Sequence, residues 1–583
     1  MTRLWNEPAD FADDMVEGFV RANGRWVRKV YGGVTRSTQA AEPEVAVVIG
    51  GGSGHYPAFA GLVGPGLAHG AAMGNLFASP SAHQVESVAR ASHRGRGVLL
   101  SYGNYAGDVL HFTEAQEALR ADGIDCRTVA VTDDIFSAPP QDAEKRRGIA
   151  GDLTVFKVAG AAASLGYDLD GVERVARLAN DRTRSLGVAF TGCTMPGAAE
   201  PLFTVPEGRM AIGLGIHGEP GLDETDIPTA NGLAELFAEQ LLADAEVPSG
   251  ASKPGGRVVP VLNGLGSVKS EELFVVYARV ADLLESAGLT IVDPQVGEFC
   301  TSFDMAGVSL TLLWLDDELE RLWLAPADTP AYRRGAVDHA SLTPTADDGD
   351  ADERATVPSA SAASSEAARR IAELLDATRQ TIDEHADELG RIDAIAGDGD
   401  HGIGMQRGAR AAAAEAAALV ELGAGAGTLL SRAADAWADR AGGTSGALWG
   451  VILRTLGGQL GDAEPVSAEG VRAGVLSASE AVRSYGKARV GDKTLVDALV
   501  PFAETLAARV DEGASLSDAW DAAAQAATAA AERTADLMPG LGRARSHGEK
   551  ALGVPDPGAV SLALIVTTVA ALLSRGERTD VAP

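Results

Sequence analysis

The chain has 583 residues, which is too long for a single hydrophobic core and suits two or three domains. Hydrophobic residues make up 46% and charged residues 22%, the balance typical of a soluble globular protein. The formal net charge of −32 argues against nucleic acid or an anionic membrane as a partner.

The cysteines and the apolar runs indicate a reducing, cytoplasmic location. Cys126, Cys193 and Cys300 are scattered and lack the spacing of a zinc site or a disulfide framework. The N-terminal residues contain no apolar signal core. The apolar run at 559–573 is interrupted by Ser and Thr and is shorter than a membrane span, so we interpret it as a buried helix.

Up to about residue 340 the sequence alternates short apolar strands with helical stretches, which favours an α/β domain. The strands are predicted at 45–49, 98–102, 128–131, 209–216 and 258–262. Residues 341–365 are rich in Ser, Thr, Pro, Ala and Asp, and this composition predicts a flexible linker.

After residue 365, Ala- and Leu-rich segments with helical periodicity follow one another. They predict helices at 366–389, 409–422, 430–441, 471–485, 495–510, 519–535 and 560–574. We therefore predict an α/β domain over 1–340, the linker over 341–365 and an all-α helical barrel or bundle over 366–583. Its active groups are expected in the connections between helices.

The first motif is GGGSGHYP at 50–57, directly after a predicted strand. Successive glycines let backbone amides approach a small polar ligand closely, and His55 adds a titratable donor. A tight turn without a ligand explains the pattern equally well. The segment does not cleanly meet the G-x-G-x-x-G spacing of a dinucleotide-binding loop.

Two further candidates lie just beyond or at the end of predicted strands. Asp108 in NYAGD is placed where a carboxylate points into the ligand crevice of an open α/β sheet, although a helix cap is the commoner role. His217 in GLGIHGEPG stands between glycines that offer no core to pack against. For this histidine a structural and a functional role are equally consistent with the sequence.

A cluster of acids follows the first helix of the second half, in DAIAGDGDHG at 393–402. The carboxylates of Asp393, Asp398 and Asp400 repel one another unless a hard cation is present, and Mg²⁺ fits oxygen ligands best. The alternative interpretation is a solvated acidic loop.

The segment GGTSG at 442–446 precedes a helical stretch at 447–450. Small hydroxyls and exposed amides before a helix N-terminus form an anion site, and a simple helix cap is the alternative. The segment is not a Walker A loop, because the Gly-Lys-Ser/Thr ending is absent. Further along, Arg543 is a candidate cation for a polyphosphate.

Taken together and in this order, the motifs resemble the dihydroxyacetone kinase family in its fused, ATP-dependent form. The resemblance rests on GGGSGH, GIHGEPG and the D-x4-D-x-D triplet, and it spans nearly the whole chain except the linker. It implies a ketose-binding K domain followed by a nucleotide-binding L domain, and hence an ATP-dependent kinase of a short-chain ketose.

The resemblance implies catalytic roles for three residues of the K domain. His217 matches the histidine that forms a covalent hemiaminal with the ketone, Asp108 the carboxylate that takes the proton from the attacking hydroxyl, and His55 a histidine that polarises the bound sugar. The implied substrate-binding residues are Gly52, Ser53, Gly54, His55, Tyr56, Gly103 and Asp108.

For the L domain the resemblance implies ATP and two Mg²⁺ ions held by Asp393, Asp398 and Asp400. The implied ATP-binding residues are His401, Gly402, Ile403, Gly404, Thr444, Ser445, Gly446, Gly486, Arg543, Asp556, Pro557 and Gly558. The family also implies a homodimer in which the L domain of one chain serves the K domain of its partner.

Two positions depart from the family pattern. Tyr56 stands where the family usually has the Glu of GHEP, and Gly103 stands where it usually has Lys before Asn-Tyr. Losing a lysine removes a charge and opens space for a ketose one carbon longer than dihydroxyacetone, and GHYP resembles the erythrulose kinases of the family. The favoured function is therefore an erythrulose kinase, with D-erythrulose 4-kinase as the specific hypothesis, although the residues distinguish neither the enantiomer nor the terminal hydroxyl. The alternatives are a dihydroxyacetone kinase and a non-catalytic ketose-binding regulator.

Overall fold

The structure is a computed structural model that describes residues 4–213, 215–216, 223–244, 256–345, 357–396, 399–540 and 551–579. The chain divides into two compact units, Met1–Asp350 and Ala351–Pro583. Three of the predicted site residues, His217, Asp398 and Arg543, lie outside the described residues.

Unit 1 is built on two mixed β-sheets. Its strands are β1 Val27–Val30, β2 Gly33–Arg36, β3 Thr38–Ala40, β4 Ala46–Ser53, β5 Gly70–Leu76, β6 Val98–Gly103, β7 Cys126–Val131, β8 Thr183–Ala189, β9 Arg209–Ile212, β10 Asp223–Asp226, β11 Arg257–Gly264, β12 Thr290–Ile291, β13 Gln295–Gly297, β14 Gly307–Leu315, β15 Ala327–Asp328, β16 Arg333–Arg334 and β17 Leu342–Pro344. One sheet has the order β1-β2-β5-β4-β6-β7, and the other has the order β10-β9-β8-β14-β11-β12 with β13 also paired to β11.

Helices cover these sheets. They are α1 Phe11–Asn23, α2 Ala82–Ser92, α3 Ala106–Ala121, α4 Asp152–Ser164, α5 Leu169–Asp181, α6 Ala230–Ala243, α7 Ser270–Ser286 and α8 Asp317–Trp323. Alternate residues of β4 face opposite layers: Val47 belongs to the same core cluster as Phe156 of α4, and Val48 to that of Phe112 of α3. Because β4 and β6 are buried on both faces, their sequences are almost continuously apolar or glycine.

Two predicted strand boundaries are wrong, and glycines explain both. Strand β4 continues to Ser53, so the glycines at 50–52 lie inside the strand and not in a turn after it. A Cβ atom on Gly50 would lie 2.6 Å from the carbonyl oxygen of Ala72, so glycine lets β5 approach closely. Strand β9 ends at Ile212 because Gly213 turns the chain with a φ of 74°.

The two ends of the predicted linker have regular structure. Strand β17 pairs antiparallel with β3, which ties residues 342–344 to unit 1. The first helix of unit 2 begins at Ala362. Residues 346–356 lie outside the described residues.

The described part of unit 2 consists of eight α-helices. They are α9 Ala362–Ala396, α10 His401–Glu421, α11 Ala426–Ala441, α12 Gly443–Leu460, α13 Ala468–Gly486, α14 Val496–Asp511, α15 Leu516–Arg533 and α16 Pro557–Thr579. Each helix packs on the next one, and α16 packs back on α9, so the helices close into a barrel-like bundle. The sequence predicted seven of them, whereas α12 extends well beyond the short stretch at 447–450.

Helix α16 contains the apolar run that the sequence analysis interpreted as buried. Within the described residues it is the one helix long and apolar enough to cross a membrane. It contacts α9, α14 and α15, and Ala559, Leu562 and Val566 lie in the core of unit 2. Its apolar composition is therefore explained by its place in the helical core.

Candidate active site

The end of β4 leads into a tightly packed segment. The hydroxyl of Ser53 donates a hydrogen bond to the carbonyl oxygen of Gly74 at 2.7 Å. Gly54 has a φ of 108°, and a Cβ atom there would lie within 2.8 Å of the rings of both Phe77 and Phe303. Only glycine meets both demands, so this position places the next residue, His55, in a defined orientation.

His55 is buried and held from two sides. Its ring stacks on Phe77 with 4.8 Å between centroids, and its Nδ1 lies 2.8 Å from the carbonyl oxygen of Thr301. A carbonyl oxygen only accepts, so Nδ1 carries a proton and Nε2 of the neutral ring is the acceptor. The neutral ring of His55 therefore has a defined tautomer, in which Nε2 can accept but not donate a hydrogen bond.

Thr301 also holds the backbone of Tyr56 in place. The Thr301 hydroxyl donates to the backbone oxygen of Tyr56 at 2.8 Å. The Tyr56 ring is about half exposed and packs edge-on against Phe19, and burial of its hydroxyl raises its pKa. Pro57 forms an isolated bridge with Cys300, so the whole segment after β4 lies against residues 300–301.

The end of β6 contains Gly103. A Cβ atom on Gly103 would lie 3.2 Å from the carbonyl oxygen of Gly148 and 3.5 Å from Oδ2 of Asp152. The predicted base Asp108 is buried in the first turn of α3, whose N-cap is Tyr105. Asp108 is therefore not the helix cap, which was the alternative to a catalytic role for this residue.

Electrostatic interactions connect these two regions of unit 1. Burial raises the pKa of Asp152 well above its ordinary value, and the negative charges of Asp133 and Asp108 raise it further. Burial also raises the pKa of the Cys300 thiol, to which Asp152 and Asp133 contribute. Asp152 therefore lies close enough to interact electrostatically with both Asp108 and Cys300.

Two residues of this region were missed from the sequence. Ser79 follows β5 and is buried, and its hydroxyl has no hydrogen-bond partner among the described residues. Asp152 opens α4, where an acid has an ordinary favourable interaction with the helix dipole. Nothing in the local sequence distinguishes either residue, because both gain their character from burial.

The acidic motif of unit 2 lies at the junction of α9 and α10. Asp393 is buried in the last turn of α9, and its Oδ2 accepts a hydrogen bond from the backbone amide of His401 at 3.0 Å. Asp400 is the N-cap residue of α10. Desolvation of its carboxyl group, together with the charge of Asp393, raises the pKa of Asp400, although the residue as a whole is exposed.

His401 joins three helices. Its Nδ1 lies 3.1 Å from the hydroxyl of Ser445 in the first turn of α12, and its Nε2 lies 3.0 Å from the hydroxyl of Ser561 near the start of α16. Burial lowers the pKa of His401. The N-terminal turns of α10, α12 and α16 thus meet, and helix N-termini present amide donors and positive partial charge to an anion.

Asp556 adds another carboxyl to this region. It accepts a hydrogen bond from the amide of Ala559 at 2.8 Å, and burial raises its pKa to about 7 with contributions from Asp393 and Asp497. The other described residues predicted to bind ATP lie at helix ends. They are Gly402, Ile403 and Gly404 in α10, Thr444 and Gly446 in α12, Gly486 at the end of α13, and Pro557 and Gly558 in α16.

Lys493 is a further residue that the sequence analysis missed, because GDKT there was interpreted as a simple turn. Its side chain is buried, and burial lowers its pKa. Its three N–H groups are shared among four backbone carbonyl oxygens, those of Thr534, Leu537, Ala551 and Val554, which lie 2.9, 3.3, 2.8 and 2.7 Å from Nζ. Lys493 therefore anchors both chain segments that flank residues 541–550, which include Arg543.

The donor set at this junction suits Mg²⁺. The charge of Asp393 acts on Asp400 and, separately, on Asp556, and a divalent cation with oxygen ligands would relieve such repulsion. Within the part of the chain that the structure describes, no three His, Cys, Asp or Glu side chains are grouped to hold a metal ion. The predicted third ligand, Asp398, lies outside that part.

Two candidate sites, one for a small polar ligand and one for a phosphate chain with its metal, define a two-domain kinase. Residues 17–331 match the Dak1 domain and residues 395–571 match the DAK2 domain. The chain belongs to the dihydroxyacetone kinase family, in the fused form that carries both domains. The family, the fold class and the kinase class predicted from the sequence are thereby confirmed.

The chain is similar to proteins of known activity over nearly its full length. It is 60% identical to the L-erythrulose kinase of Pectobacterium atrosepticum, over 98% of this chain and 97% of that protein. It is 53% identical to the D-erythrulose kinase of Mycolicibacterium smegmatis, over 98% of both chains. The crystal structure of the dihydroxyacetone kinase from C. freundii in complex with AMP-PNP and Mg²⁺ matches with a TM-score of 0.52 and 29% identity, over 98% of this chain and 99% of that one.

Proposed function

We propose that the chain is an ATP-dependent kinase that phosphorylates a terminal hydroxyl group of erythrulose. The observation that carries the kinase assignment is the meeting of three helix N-termini at His401, beside the buried carboxyl of Asp393. Erythrulose is favoured because relatives at 60% and 53% identity are named for it.

Unit 1 binds and activates the ketose in this proposal. A nitrogen of His217 adds to the ketone carbon, and the proton that the imidazole ring loses is taken up by the carbonyl oxygen, which forms a hemiaminal that glycerol cannot form. Asp108 removes the proton from the hydroxyl that attacks the phosphoryl group, and His55 polarises the bound sugar. The buried position of Asp108 and the defined tautomer of His55 support these two roles.

Unit 2 binds ATP and Mg²⁺ in this proposal. Asp393 and Asp400, with the undescribed Asp398, would hold two Mg²⁺ ions, and the bound cations neutralise charge on the phosphates. The amide groups at the N-termini of α10, α12 and α16 donate to phosphate oxygens. Positioning and charge neutralisation are the main contributions that a protein makes to phosphoryl transfer.

A coupled ADP-release assay with Mg-ATP tests the proposal, by comparing kcat/KM for D-erythrulose, L-erythrulose, dihydroxyacetone and glycerol. We expect one erythrulose enantiomer to be preferred and glycerol to be inert. The sequence analysis favours the D-enantiomer and the 4-hydroxyl, whereas the relatives are named for both enantiomers, so the assay also decides this point. A preference for dihydroxyacetone would make the chain a dihydroxyacetone kinase. No turnover with any ketose would favour the non-catalytic ketose-binding regulator.

A separate variant tests whether Asp393 binds Mg²⁺. Asp393→Asn should abolish Mg²⁺-dependent turnover and leave ketose binding intact, because the two functions lie in different units. Asp387→Asn is the matched control, since Asp387 is an exposed acid on the same helix. Normal activity of Asp393→Asn would remove Asp393 from the metal site.

We further propose the homodimer in which the L domain of one chain serves the K domain of its partner. Mixing His217→Ala chains with Asp393→Asn chains tests this arrangement. Activity should return in the mixture, because one pairing combines an intact K domain with an intact L domain from different chains. A mixture of exchanging subunits that stays inactive would contradict the arrangement.

A further inference from the structure

Asp152 is a buried carboxyl group for which the proposed catalytic steps have no use. It is only 3% exposed, and its Oδ1 has no hydrogen-bond partner among the described residues. Buried polar atoms in folded proteins are nearly always hydrogen-bonded, so the unpaired oxygen of Asp152 calls for a partner that the folded chain does not supply.

The second carboxyl oxygen of Asp152 borders the candidate ketose site. A Cβ atom on Gly103 would lie 3.5 Å from Oδ2, so any side chain at position 103 would start directly in front of this carboxyl. In this chain glycine leaves position 103 without a side chain, and the atoms that a Cβ there would meet are the Gly148 carbonyl oxygen at 3.2 Å, Tyr105 Cε2 at 3.4 Å and Asp152 Oδ2 at 3.5 Å.

The groups around Asp152 are acidic and favour its protonated form. Asp133 uses its two oxygens to accept hydrogen bonds from the amides of Ile149 and Gly151, at 2.9 and 2.8 Å. Burial, with the charges of Asp133 and Asp108, holds the pKa of Asp152 well above its ordinary value. A protonated carboxyl both donates and accepts hydrogen bonds, as does an alcohol hydroxyl.

We propose that Asp152 binds a hydroxyl group that erythrulose has and dihydroxyacetone lacks, and that it thereby selects the four-carbon ketose. The proposal rests on the proposed kinase function and names the residue that determines its substrate. Gly103 provides the volume for the additional carbon, and Asp152 provides the hydrogen bond. A site with a buried polar group for a substrate hydroxyl discriminates strongly against the analogue that lacks it, because the group is then left unpaired.

Asp152→Ala tests the proposal in the coupled assay with the full chain. We expect the ratio of kcat/KM for erythrulose to that for dihydroxyacetone to fall about ten- to a hundredfold, the range for one buried hydrogen bond. Turnover of dihydroxyacetone should change only a few-fold. Asp152→Asn should keep most of the ratio, because the amide has the same shape and also donates and accepts.

Asp170→Ala is the matched control, because Asp170 is also in the first turn of a helix of unit 1 but its side chain is 79% exposed. If the alanine variant of Asp152 does not fold, Asp152→Ser replaces it, since its shorter side chain stops before the substrate. An equal loss for both ketoses would assign Asp152 a structural role, and an unchanged ratio would remove it from the site.

Failure of the proposed kinase function is distinguishable from failure of this inference. If the native chain phosphorylates no ketose, binding of erythrulose and dihydroxyacetone is measured directly by calorimetry on the same variants. Tighter binding of erythrulose that Asp152→Ala abolishes would then support the role of Asp152 without any kinase activity. Equal binding of both ketoses by the native chain would overturn it.

Discussion

The Nδ1 atom of His55 lies 2.8 Å from the carbonyl oxygen of Thr301, which is 246 residues further along the chain. The carbonyl determines which ring nitrogen carries the proton, and the stacked Phe77 ring holds the orientation.

From this geometry we predict that His55→Ala lowers kcat/KM for ketoses about a hundred- to ten-thousandfold, the range for losing a positioned acid or base. Nucleotide binding should be unchanged, because the proposed ATP site lies in unit 2. His83→Ala is the control for losing a histidine from unit 1. Measurement of kcat/KM together with ATP affinity checks the prediction, and normal ketose turnover in His55→Ala would contradict it.

Gly103→Lys should move the specificity of the site towards dihydroxyacetone. The φ of Gly103 is not positive, and the closest contact of a Cβ atom there would be 3.2 Å, so a small shift admits a side chain. The new ammonium group would pair with Asp152 and fill the space in front of it. We expect kcat/KM for erythrulose to fall more than about tenfold relative to dihydroxyacetone.

Gly103→Ala separates volume from charge in this prediction. It adds only the Cβ atom, so it should have a much smaller effect on the ratio than lysine. Steady-state kinetics with both ketoses measures the two variants. A lysine variant that prefers erythrulose as strongly as the native chain would show that position 103 does not limit the substrate.

Local patterns predicted the family, the two-part architecture and the position of the Asp393 motif between two helices. These features depend on residues close together in sequence, and the structure places the motif between α9 and α10 as expected. The glycines of β4 were misplaced because a glycine run suggests a turn, whereas here it allows β5 to approach. Hydrophobic periodicity and composition describe residues that are close in sequence, so they do not reveal the contact between β4 and β5.

The missed residues have a common physical cause. Asp152, Ser79 and Lys493 are ordinary in their local sequence, and each becomes distinctive only through burial. Lys493, for example, reaches carbonyls 41 to 61 residues away. The environment of such a residue depends on tertiary packing, which a single sequence does not reveal.

Lys493→Met should destabilise unit 2 and weaken ATP binding. Methionine fills a similar volume but leaves four backbone carbonyls without their donor, which costs about 2–4 kcal/mol. The flanks of residues 541–550 lose their anchor at the same time, so KM for ATP should rise while KM for the ketose stays constant.

Lys487→Met is the control for this variant. Lys487 has a left-handed backbone like Lys493, with φ values of 49° and 59°, but its side chain is exposed. Thermal unfolding and KM for ATP are measured for both variants. Equal effects of the two substitutions would mean that the carbonyl contacts of Lys493 contribute nothing specific.

The stability of unit 1 should fall in acid because of His69. Its Nδ1 accepts from the amide of Val47 at 3.1 Å, and its Nε2 lies 2.8 Å from Glu44. Burial, with the charge of Arg36, lowers the pKa of His69 to about 4 from 6.5. Between pH 6.5 and 4, His69 therefore binds a proton in the unfolded chain but stays neutral in the folded chain. About 3 kcal/mol of stability is lost as the pH falls through this range.

Glu44 acts in a lower pH range. Despite its burial, hydrogen bonds and charges from His69 and Arg36 lower its pKa to about 2 from 4.5, so its contribution is lost as the pH falls from 4.5 to 2. His69→Gln should therefore make the stability of unit 1 nearly independent of pH between 6.5 and 4.5. Below pH 4.5 part of the loss of stability should remain.

The measurement is the urea midpoint of unit 1 within the full chain. It is followed by the reactivity of the three buried cysteines, which all lie in unit 1. The same slope in both proteins between pH 6.5 and 4.5 would mean that the charge state of His69 does not control acid stability.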